Sequence, residues 1–424
     1  MGRAGTQLVD DLVSAVLHGI YAGSARELSV RAVMPALWDM EARSGGLLRS
    51  VLPRRLNARA RAETPAERLA REEAERELAE LETSVGPHVV RQMKSISVYS
   101  LPEGIETITR AMEKEVRALP NVEVCLDAGV QRASVRDDGM VQLETRSGTH
   151  VVSRVISGMP GSALDAALRA AGDEAAALPH LAHNASADVG VVNVALPAGL
   201  VAQHVRSGAR VLPVQGFGYL LPSGTPNAAG VLGVVFDSDS LPTQDAAAPT
   251  AEAAAAAPTK LTVMLGGPHW KGRTPLPDAP QLRRLALDAL HAHLGLPRAL
   301  LDDPATLVVA RLQRACIPHY AVGHLGRMRE LHAALSSASS PWRGRLALVG
   351  ASWTGVSLND CVLGARRTAR RIIDEEQQRE AGAAHWHATT TGLERFAPSH
   401  EAHERAAVGQ HEGALGGGIL GNAA

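Results

Sequence analysis

The stretch RLALVGASWTGVSLNDCVLGARRTARRIIDEE, residues 345–376, constrains the fold more than any other part of the chain. An apolar run from Leu346 to Val349 predicts a short buried strand, and a glycine loop separates that strand from a long helix. Ser357 or Asn359 can cap this helix. Its small apolar face comprises Cys361, Ala365, Ala369 and Ile372. The pattern predicts a strand–loop–helix unit of an α/β protein.

The loop inside this stretch is built from small residues that let backbone approach a ligand closely. These residues are Gly350, Ala351 and Gly355. The N-terminus of the following helix favours a pyrophosphate group or a polarised ring carbonyl. An ordinary turn without a ligand explains the stretch equally well, because glycine loops are common between strands and helices.

Composition excludes several classes of function. The chain has 424 residues, enough for two or three domains. A net charge of −1 and an aromatic content of 3% argue against nucleic-acid binding. Three widely spaced cysteines predict neither a disulfide framework nor a zinc site, and His385 and His387 have no third ligand nearby for a metal. No apolar run reaches the length of a membrane span, so any membrane contact is expected to be peripheral.

Periodicity divides the rest of the chain into helical and strand-rich regions. Residues 6–42 predict helices, with a capping box at Ser24 and Glu27 and a break at Pro35. The charged run over 54–83 predicts a solvated helix, and the sharper alternative is a helix for a membrane surface or a partner. Hairpin signals are Asp138-Gly139 and Ser147-Gly148. A strand over Val151–Ser157 ends at Gly158-Met159-Pro160, a helix covers 279–296, and a low-complexity loop covers 244–259.

A glycine fingerprint for dinucleotides is missing from its usual context. No G-x-G-x-x-G follows a predicted strand and opens a helix. The glycine-rich GALGGGILG near the end has no strand before it, so the tail over 376–424 is predicted to be disordered and of low complexity.

Seven segments occur in an order that resembles protoporphyrinogen oxidases, most of all the animal form. They are GIYAGSARELSVRAVMPALWDME, RVISGMPGSAL, LPVQGFGYLLPS, GVLGVVFDS, LTVMLGG, RACIPHYAVGH and LVGASWTGVSLNDCVLGARRTA. The resemblance implies an α/β (α+β) FAD/NAD(P)-binding flavoprotein of the amine-oxidase-like group that lacks its first βαβ unit. It also implies a mixed-sheet substrate domain and a helical membrane-binding part. The implied divisions are 1–92 for the membrane-binding helices with a charged insertion, 93–185 and 321–375 for the FAD domain, and 186–320 for the substrate domain.

The resemblance also implies the residues of an FAD site. Val130 matches the position whose backbone holds the adenine end of FAD. Val356, Ser357 and Leu358 match the loop beside the flavin ring, where backbone N–H groups can support negative charge. Leu325 stands where the family often has a tryptophan. We expect poor retention of FAD, because the family's first strand and its pyrophosphate turn have no match here.

A second set of residues matches the family's porphyrinogen cavity. Phe217 is expected to stack on the macrocycle, Gly218 to leave room for it, and Leu220 to line the same strand. Met264 matches the opposite wall. Without the resemblance, a strand aromatic or a methionine is more often part of the core. His319 and His324 are interpreted as surface or packing histidines rather than acid–base groups.

The function implied is the six-electron oxidation of protoporphyrinogen IX to protoporphyrin IX with oxygen as acceptor, in haem biosynthesis. The flavin carries this chemistry, so no catalytic side chain and no metal are expected. The family implies a homodimer in peripheral contact with the mitochondrial inner membrane. The alternative is a non-catalytic short form that binds the full-length enzyme or porphyrin.

Overall fold

The structure is a computed structural model. It describes residues 6–44, 65–94, 96, 99–205, 211–242, 257–382 and 388–397. Single turns Thr6–Leu8 and Val9–Val13, the second π-helical, lead into the first helix. The helices are α1 (Ser14–Tyr21), α2 (Val30–Val33), α3 (Pro35–Ser44), α4 (Pro65–Val85), α5 (Pro87–Lys94), α6 (Glu106–Arg117), α7 (Gly161–Ala170), α8 (Ala198–His204), α9 (Asp237–Ser240), α10 (Ala279–Leu294), α11 (Arg298–Leu301), α12 (His324–Ser336) and α13 (Leu358–Glu380).

Ten strands alternate with these helices. They are β1 (Val130–Val135), β2 (Val141–Thr145), β3 (Gly148–Val152), β4 (Val155–Ser157), β5 (Ser186–Leu196), β6 (Gly218–Leu220), β7 (Val231–Val235), β8 (Thr259–Gly266), β9 (Leu307–Pro318) and β10 (Leu346–Leu348). Both predicted hairpins are confirmed by the β1–β2 and β2–β3 pairs. The single strand predicted over Val151–Ser157 is wrong, because the chain leaves β3 after Val152 and restarts at Val155.

The chain divides into two compact units. Unit 1 comprises Met1–Leu28, Ser100–Cys125 and Ala185–His319. Unit 2 comprises Ser29–Tyr99, Leu126–Asn184 and Tyr320–Ala424. Residues predicted as one helical part over 1–92 are therefore shared between the two units.

Unit 1 is built on a five-stranded sheet in the order β6-β7-β8-β5-β9. The resemblance implied a mixed sheet, but the four pairings among these strands are all antiparallel. Alternate residues of β8, Leu261, Val263 and Leu265, pack in the main core with α10. A capping box at Asp278 and Gln281 starts α10, as expected for a helix that begins beside a proline. One face of the sheet is therefore buried against α10. The residues that alternate with Leu261, Val263 and Leu265 point to the second face.

Unit 2 contains two smaller sheets. One is the antiparallel β1-β2-β3 sheet, and the other pairs β4 with β10 in parallel. Trp342 and Trp353 are among its largest buried side chains, and the Trp342 indole N–H donates to the Ala176 carbonyl at 2.6 Å. The strand predicted at Leu346–Val349 is confirmed by the fully buried β10.

The ends of several helices differ from their predictions. The capping box at Ser24 is wrong, because residues 25–27 form a turn and Ser24 Oγ accepts the Arg26 N–H. Pro35 begins α3, so the predicted break there is confirmed. The small apolar face proposed for α13 is also wrong. Thr368 is its buried residue, and Ala365 and Ala369 are exposed.

The charged helix and the C-terminal tail also differ in part from what the sequence predicted. The charged helix α4 pairs with α13 inside unit 2, through Arg367 to Glu77 at 2.9 Å and Arg370 to Glu80. The Arg367 hydrogen bond lowers the pKa of Glu77. The tail prediction is wrong at its start, because α13 continues to Glu380 and residues 388–397 pack against unit 2. Residues 54–64, most of 244–259, His385, His387 and 398–424 lie outside the described part. Within that part, no helix is long and apolar enough to cross a membrane.

Candidate functional site

The parallel pair β4–β10 places two glycine loops side by side in unit 2. Its register joins Leu348 to Ser157, and the Val349 N–H donates to the Ser157 carbonyl at 3.0 Å. Gly158 follows β4, and Gly350 follows β10 with φ of +101°. Ligands of α/β proteins bind at the carboxyl ends of parallel strands, where such loops meet. We name this region, residues 157–161 and 350–358, the flavin crevice.

The space at this crevice is open toward the two glycines. A Cβ added at Gly158 would meet nothing nearer than Val349 Cγ2 at 3.9 Å. One added at Gly350 would meet only the Gly158 carbonyl oxygen at 3.6 Å. Ser157 Oγ is buried and lacks a partner among the described residues. The crevice therefore combines backbone that side chains do not cover with a buried Ser157 hydroxyl that has no partner among the described residues. A polar ligand could form hydrogen bonds with both.

Side chains from other elements hold the crevice loop by its carbonyl oxygens. Tyr320 Oη donates to the Ala351 carbonyl. Asn184 Nδ2 donates to the Ser352 carbonyl at 3.1 Å, and His324 Nε2 lies 2.9 Å from the Trp353 carbonyl. The Gly161 N–H at the start of α7 donates to Ser352 Oγ at 3.1 Å, which ties the two loops together.

His324 is a packing residue, as the sequence interpretation held. It is buried, stacks on Tyr320 with a centroid distance of 4.2 Å, and has its pKa lowered to about 4 by burial. It is therefore neutral near pH 7. With Nε2–H donated to Trp353, its Nδ1 accepts from Asn184 Nδ2 at 3.4 Å. His319 lies in unit 1, where its ring nitrogen lies 3.0 Å from the Tyr21 carbonyl.

The predicted cap at Ser357 is confirmed. Ser357 Oγ accepts the Asp360 N–H at 3.0 Å, and the Asp360 carboxylate accepts the Ser357 N–H at 3.3 Å. The Ser357 N–H is therefore used within the helix start, which removes one of the donors expected for the flavin. Gly355 is also explained internally, because the Asp360 carboxyl fills the space of its missing side chain. Val356 is half-buried, and Leu358 is exposed at the start of α13.

The predicted adenine-contacting residue lies elsewhere in unit 2. Val130 begins β1, is partly buried, and packs against the core of this unit. The β1–β2 register shifts between Val130 and Arg132, so one residue there leaves the regular ladder. Its contact with FAD stays a prediction.

Three of the predicted porphyrinogen residues, Gly218, Leu220 and Met264, lie in unit 1 on the second face of the five-stranded sheet, and Phe217 directly precedes β6. One register row crosses all five strands, and it consists of Leu220, Gly233, Met264, Val191 and Arg311. Residues paired across a sheet share a face. Leu220 and Met264 are thus two strands apart on one face, and the role of Met264 in the opposite wall of a porphyrinogen cavity stays a prediction. We name this face the substrate face.

Phe217 is more exposed than a core residue would be. Gly218 is more closely packed than a residue that leaves room for a ligand would be. Phe217 is 64% exposed, so the alternative that it belongs to the core is wrong. Gly218 has φ of +140°, and the Val234 carbonyl of β7 occupies the position of its missing side chain. Its glycine is therefore required by the sheet, and it does not make room for a macrocycle.

Several residues of the two regions had no signal in the sequence strong enough to select them. Asn184 and Arg311 belong to no motif, Tyr320 lies in the segment RACIPHYAVGH without a role implied for it, and only the fold brings the three to their positions. Ser157 and Gly158 could have been found, because a strand that ends in Gly-Met-Pro before a helix marks a βα loop.

Comparisons with known proteins show the family of the chain. The family model described as flavin containing amine oxidoreductase matches residues 2–373. The chain is 31% identical to protoporphyrinogen oxidase of Schizosaccharomyces pombe over 383 residues, which cover 87% of this chain and 66% of that protein. Identity to the Homo sapiens protein is 30% over 379 residues, which cover 88% and 68%. A solved Exiguobacterium structure described as a protoporphyrinogen oxidase has a TM-score of 0.59 at 21% identity, covering 88% of this chain and 65% of its own.

The chain belongs to the flavin containing amine oxidoreductase family. The resemblance to protoporphyrinogen oxidases is confirmed by relatives of that name, of whose length this chain spans about two thirds. FAD is the cofactor. The flavin crevice fits its ring side, since Gly158 and Gly350 leave backbone exposed and Ser157 offers a free hydroxyl.

Proposed function

We propose that the chain acts as a protoporphyrinogen oxidase, which converts protoporphyrinogen IX to protoporphyrin IX in haem biosynthesis with oxygen as acceptor. Six hydrogens leave the substrate in three two-electron rounds, and three oxygen molecules take them up as hydrogen peroxide. Bound FAD supplies the hydride acceptor. The observation that carries the proposal is the substrate face, whose register row holds the apolar Leu220, Met264 and Val191 and ends in Arg311, with the exposed Phe217 directly before β6.

The chain's own residues have binding and positioning roles in this proposal. Leu220, Met264 and Val191 offer apolar side chains along the row, and the Leu220 side chain covers Gly233 between them. Phe217 offers an aromatic face for stacking. No side chain needs to act as a nucleophile, because the protein's task is to orient the macrocycle and exclude water.

The test is an oxidation assay on the purified chain with added FAD. Added FAD is needed because the sequence carries no glycine fingerprint after a strand, and we expect the cofactor to be lost on purification. Protoporphyrin fluorescence should rise faster than the uncatalysed oxidation in a matched sample without protein. A rate equal to that background with FAD bound would contradict the proposal. Porphyrin binding without turnover would favour the non-catalytic alternative.

We also propose a homodimer in peripheral contact with the mitochondrial inner membrane, on the basis of the resemblance. Exposed Leu8, Leu12 and Ile20 near the start of unit 1 support a peripheral contact. Flotation with anionic vesicles should recover the chain, and triple replacement of these residues by serine should reduce recovery severalfold. Equal recovery of both proteins would contradict this contact.

A further inference from the structure

The segment Thr389–Ala397 folds back onto unit 2 beside the flavin crevice. The Leu348 N–H of β10 donates to the Thr391 carbonyl at 2.8 Å, so the segment pairs with the edge of this strand. Leu393 is fully buried and Phe396 nearly so. Gly392 has φ of +78°, and its missing side chain allows the backbone to approach the Leu348 carbonyl. We name this segment the brace.

Glu375 attaches the brace to α13, and Glu394 closes a turn within the brace. Glu375 of α13 accepts the Thr389 N–H at 2.7 Å and the Thr390 N–H at 2.8 Å. Glu394 accepts the Thr391 N–H at 2.6 Å. Carboxylates that accept backbone N–H groups make stronger hydrogen bonds than neutral acceptors. The brace is therefore anchored independently of the crevice loop.

The brace reaches the crevice loop through Arg395. Its Nη1 donates to the Thr354 carbonyl at 3.3 Å, and its guanidinium lies 5.5 Å from the Phe396 ring centre. Phe396 in turn meets His324 edge-on at 6.2 Å. The carbonyls of Trp353 and Thr354 are thus held in succession by His324 and Arg395.

The charge at this point comes from Arg395. Arg395 is exposed at the surface, but desolvation of its guanidinium by neighbouring residues lowers its pKa, and the nearby Asp360 carboxylate opposes that change. Arginine nevertheless stays charged in proteins. His324 is neutral near pH 7, so Arg395 supplies the positive charge next to Thr354.

We propose that the brace holds the flavin crevice in its binding conformation and that Arg395 is a positioning residue for FAD, acting through the Thr354 carbonyl. This inference rests on the assignment of the crevice to the flavin. It assigns a role to a segment that follows the last helix of the flavin-binding unit and that sequence patterns had marked as disordered.

The test compares R395Q and R395K with the unchanged 424-residue chain. The matched control is R146Q, at an exposed arginine in the turn between β2 and β3 of the same unit. Added FAD is titrated against each protein by flavin fluorescence, and amide hydrogen exchange is followed over residues 351–356 without FAD. We expect R395Q to weaken FAD binding at least fivefold and to speed exchange at these amides. R395K should stay within twofold of the parent, because one donor suffices for a single carbonyl.

Each outcome separates the inference from the proposed function. If R395Q binds FAD within twofold of the parent and its amide exchange is unchanged, the proposed role of the brace would be overturned. Equal losses in R395Q and R395K would show a role in packing only, and would overturn the positioning role. A parent chain that binds no FAD would overturn the crevice assignment, and with it the role toward FAD. The exchange data would then decide by themselves whether the brace orders the loop.

Discussion

Gly190 and Gly218 in the sheet of unit 1 differ from Gly158 and Gly350 in the flavin crevice of unit 2 in what surrounds them, and this difference separates structural from ligand-facing positions. In unit 1, a Cβ at Gly190 would meet Leu282 Cδ2 at 2.5 Å and Trp270 at 2.9 Å, and Gly218 lies against the β7 backbone. In unit 2, Gly158 and Gly350 meet nothing within 3.5 Å. Glycine permits close approach at all four positions, and protein atoms make that approach at Gly190 and Gly218 but not at Gly158 and Gly350. In unit 2 the space is free for a ligand.

The contrast predicts that substitutions in the two units change different quantities. A side chain at Gly190 or Gly218 of unit 1 should lower the free energy of unfolding, because it meets packed atoms. A side chain at the crevice should leave folding intact and reduce ligand binding.

The largest effect is expected for Gly218→Ala. The new Cβ meets the Val234 carbonyl, and the positive φ adds backbone strain, so the free energy of unfolding should fall by about 3 kcal/mol. Urea unfolding measures this loss. Gly216→Ala is the control, since its Cβ would meet nothing within 4 Å. Similar midpoints for the two variants would show that the sheet does not require glycine at position 218.

The second prediction concerns pH and tests the packing role of His324. Its folded-state pKa of about 4 lies below the ordinary value of 6.5, so the unfolded chain takes up the proton first as pH falls. The stabilising effect is complete above about pH 6.5 and is lost between about pH 6.5 and 4. From pH 7.5 to pH 5, this histidine should remove about 2 kcal/mol from the free energy of unfolding.

His324→Gln should flatten the pH dependence of urea unfolding by this amount. His150→Gln, at an exposed position of β3, is the matched control and should leave the dependence as in the parent. Parallel curves for the parent and His324→Gln would mean that His324 is not buried in its neutral form.

The third prediction is made at the crevice. Gly158→Ala should change the unfolding free energy by less than about 0.5 kcal/mol, because its Cβ has room. FAD binding should weaken about tenfold, since the methyl group enters the space assigned to the flavin. Fluorescence titration and urea unfolding on the same preparation give both values. A stability loss without a binding loss would reverse the distinction between the two units.

The smallest effect is expected on the substrate face. Phe217→Ala removes an exposed ring, so unfolding should be nearly unchanged while protoporphyrin IX binds about fivefold more weakly. Porphyrin fluorescence titration measures the affinity. Leu307→Ala, at an exposed apolar residue of the edge strand β9 outside the substrate row, is the control. Equal affinities for the parent and Phe217→Ala would contradict a role of Phe217 in porphyrin binding.

Local signals in the sequence predicted the elements well where chain neighbours alone decide them. The hairpin turns, β10, α10 and the Ser357 cap depend on residues a few positions apart. The reason for each glycine was not predictable in the same way. Gly218 and Gly355 are explained by Val234 and Asp360, whose positions depend on strand pairing and on the course of a loop.

The brace shows a second limit of the sequence patterns. The residues after 376 have a low-complexity composition, but a few apolar residues such as Leu393 and Phe396 suffice to dock a short segment. Whether they dock depends on an available strand edge at β10, which composition does not report.

The most direct test of the account is hydrogen exchange of the chain with and without added FAD. The central claim is that the flavin binds in unit 2, at the carboxyl ends of β4 and β10. The account predicts that FAD slows exchange over residues 157–161 and 350–358, and leaves β9 of unit 1 unchanged. FAD-dependent protection confined to other segments, with none in these two loops, would contradict it.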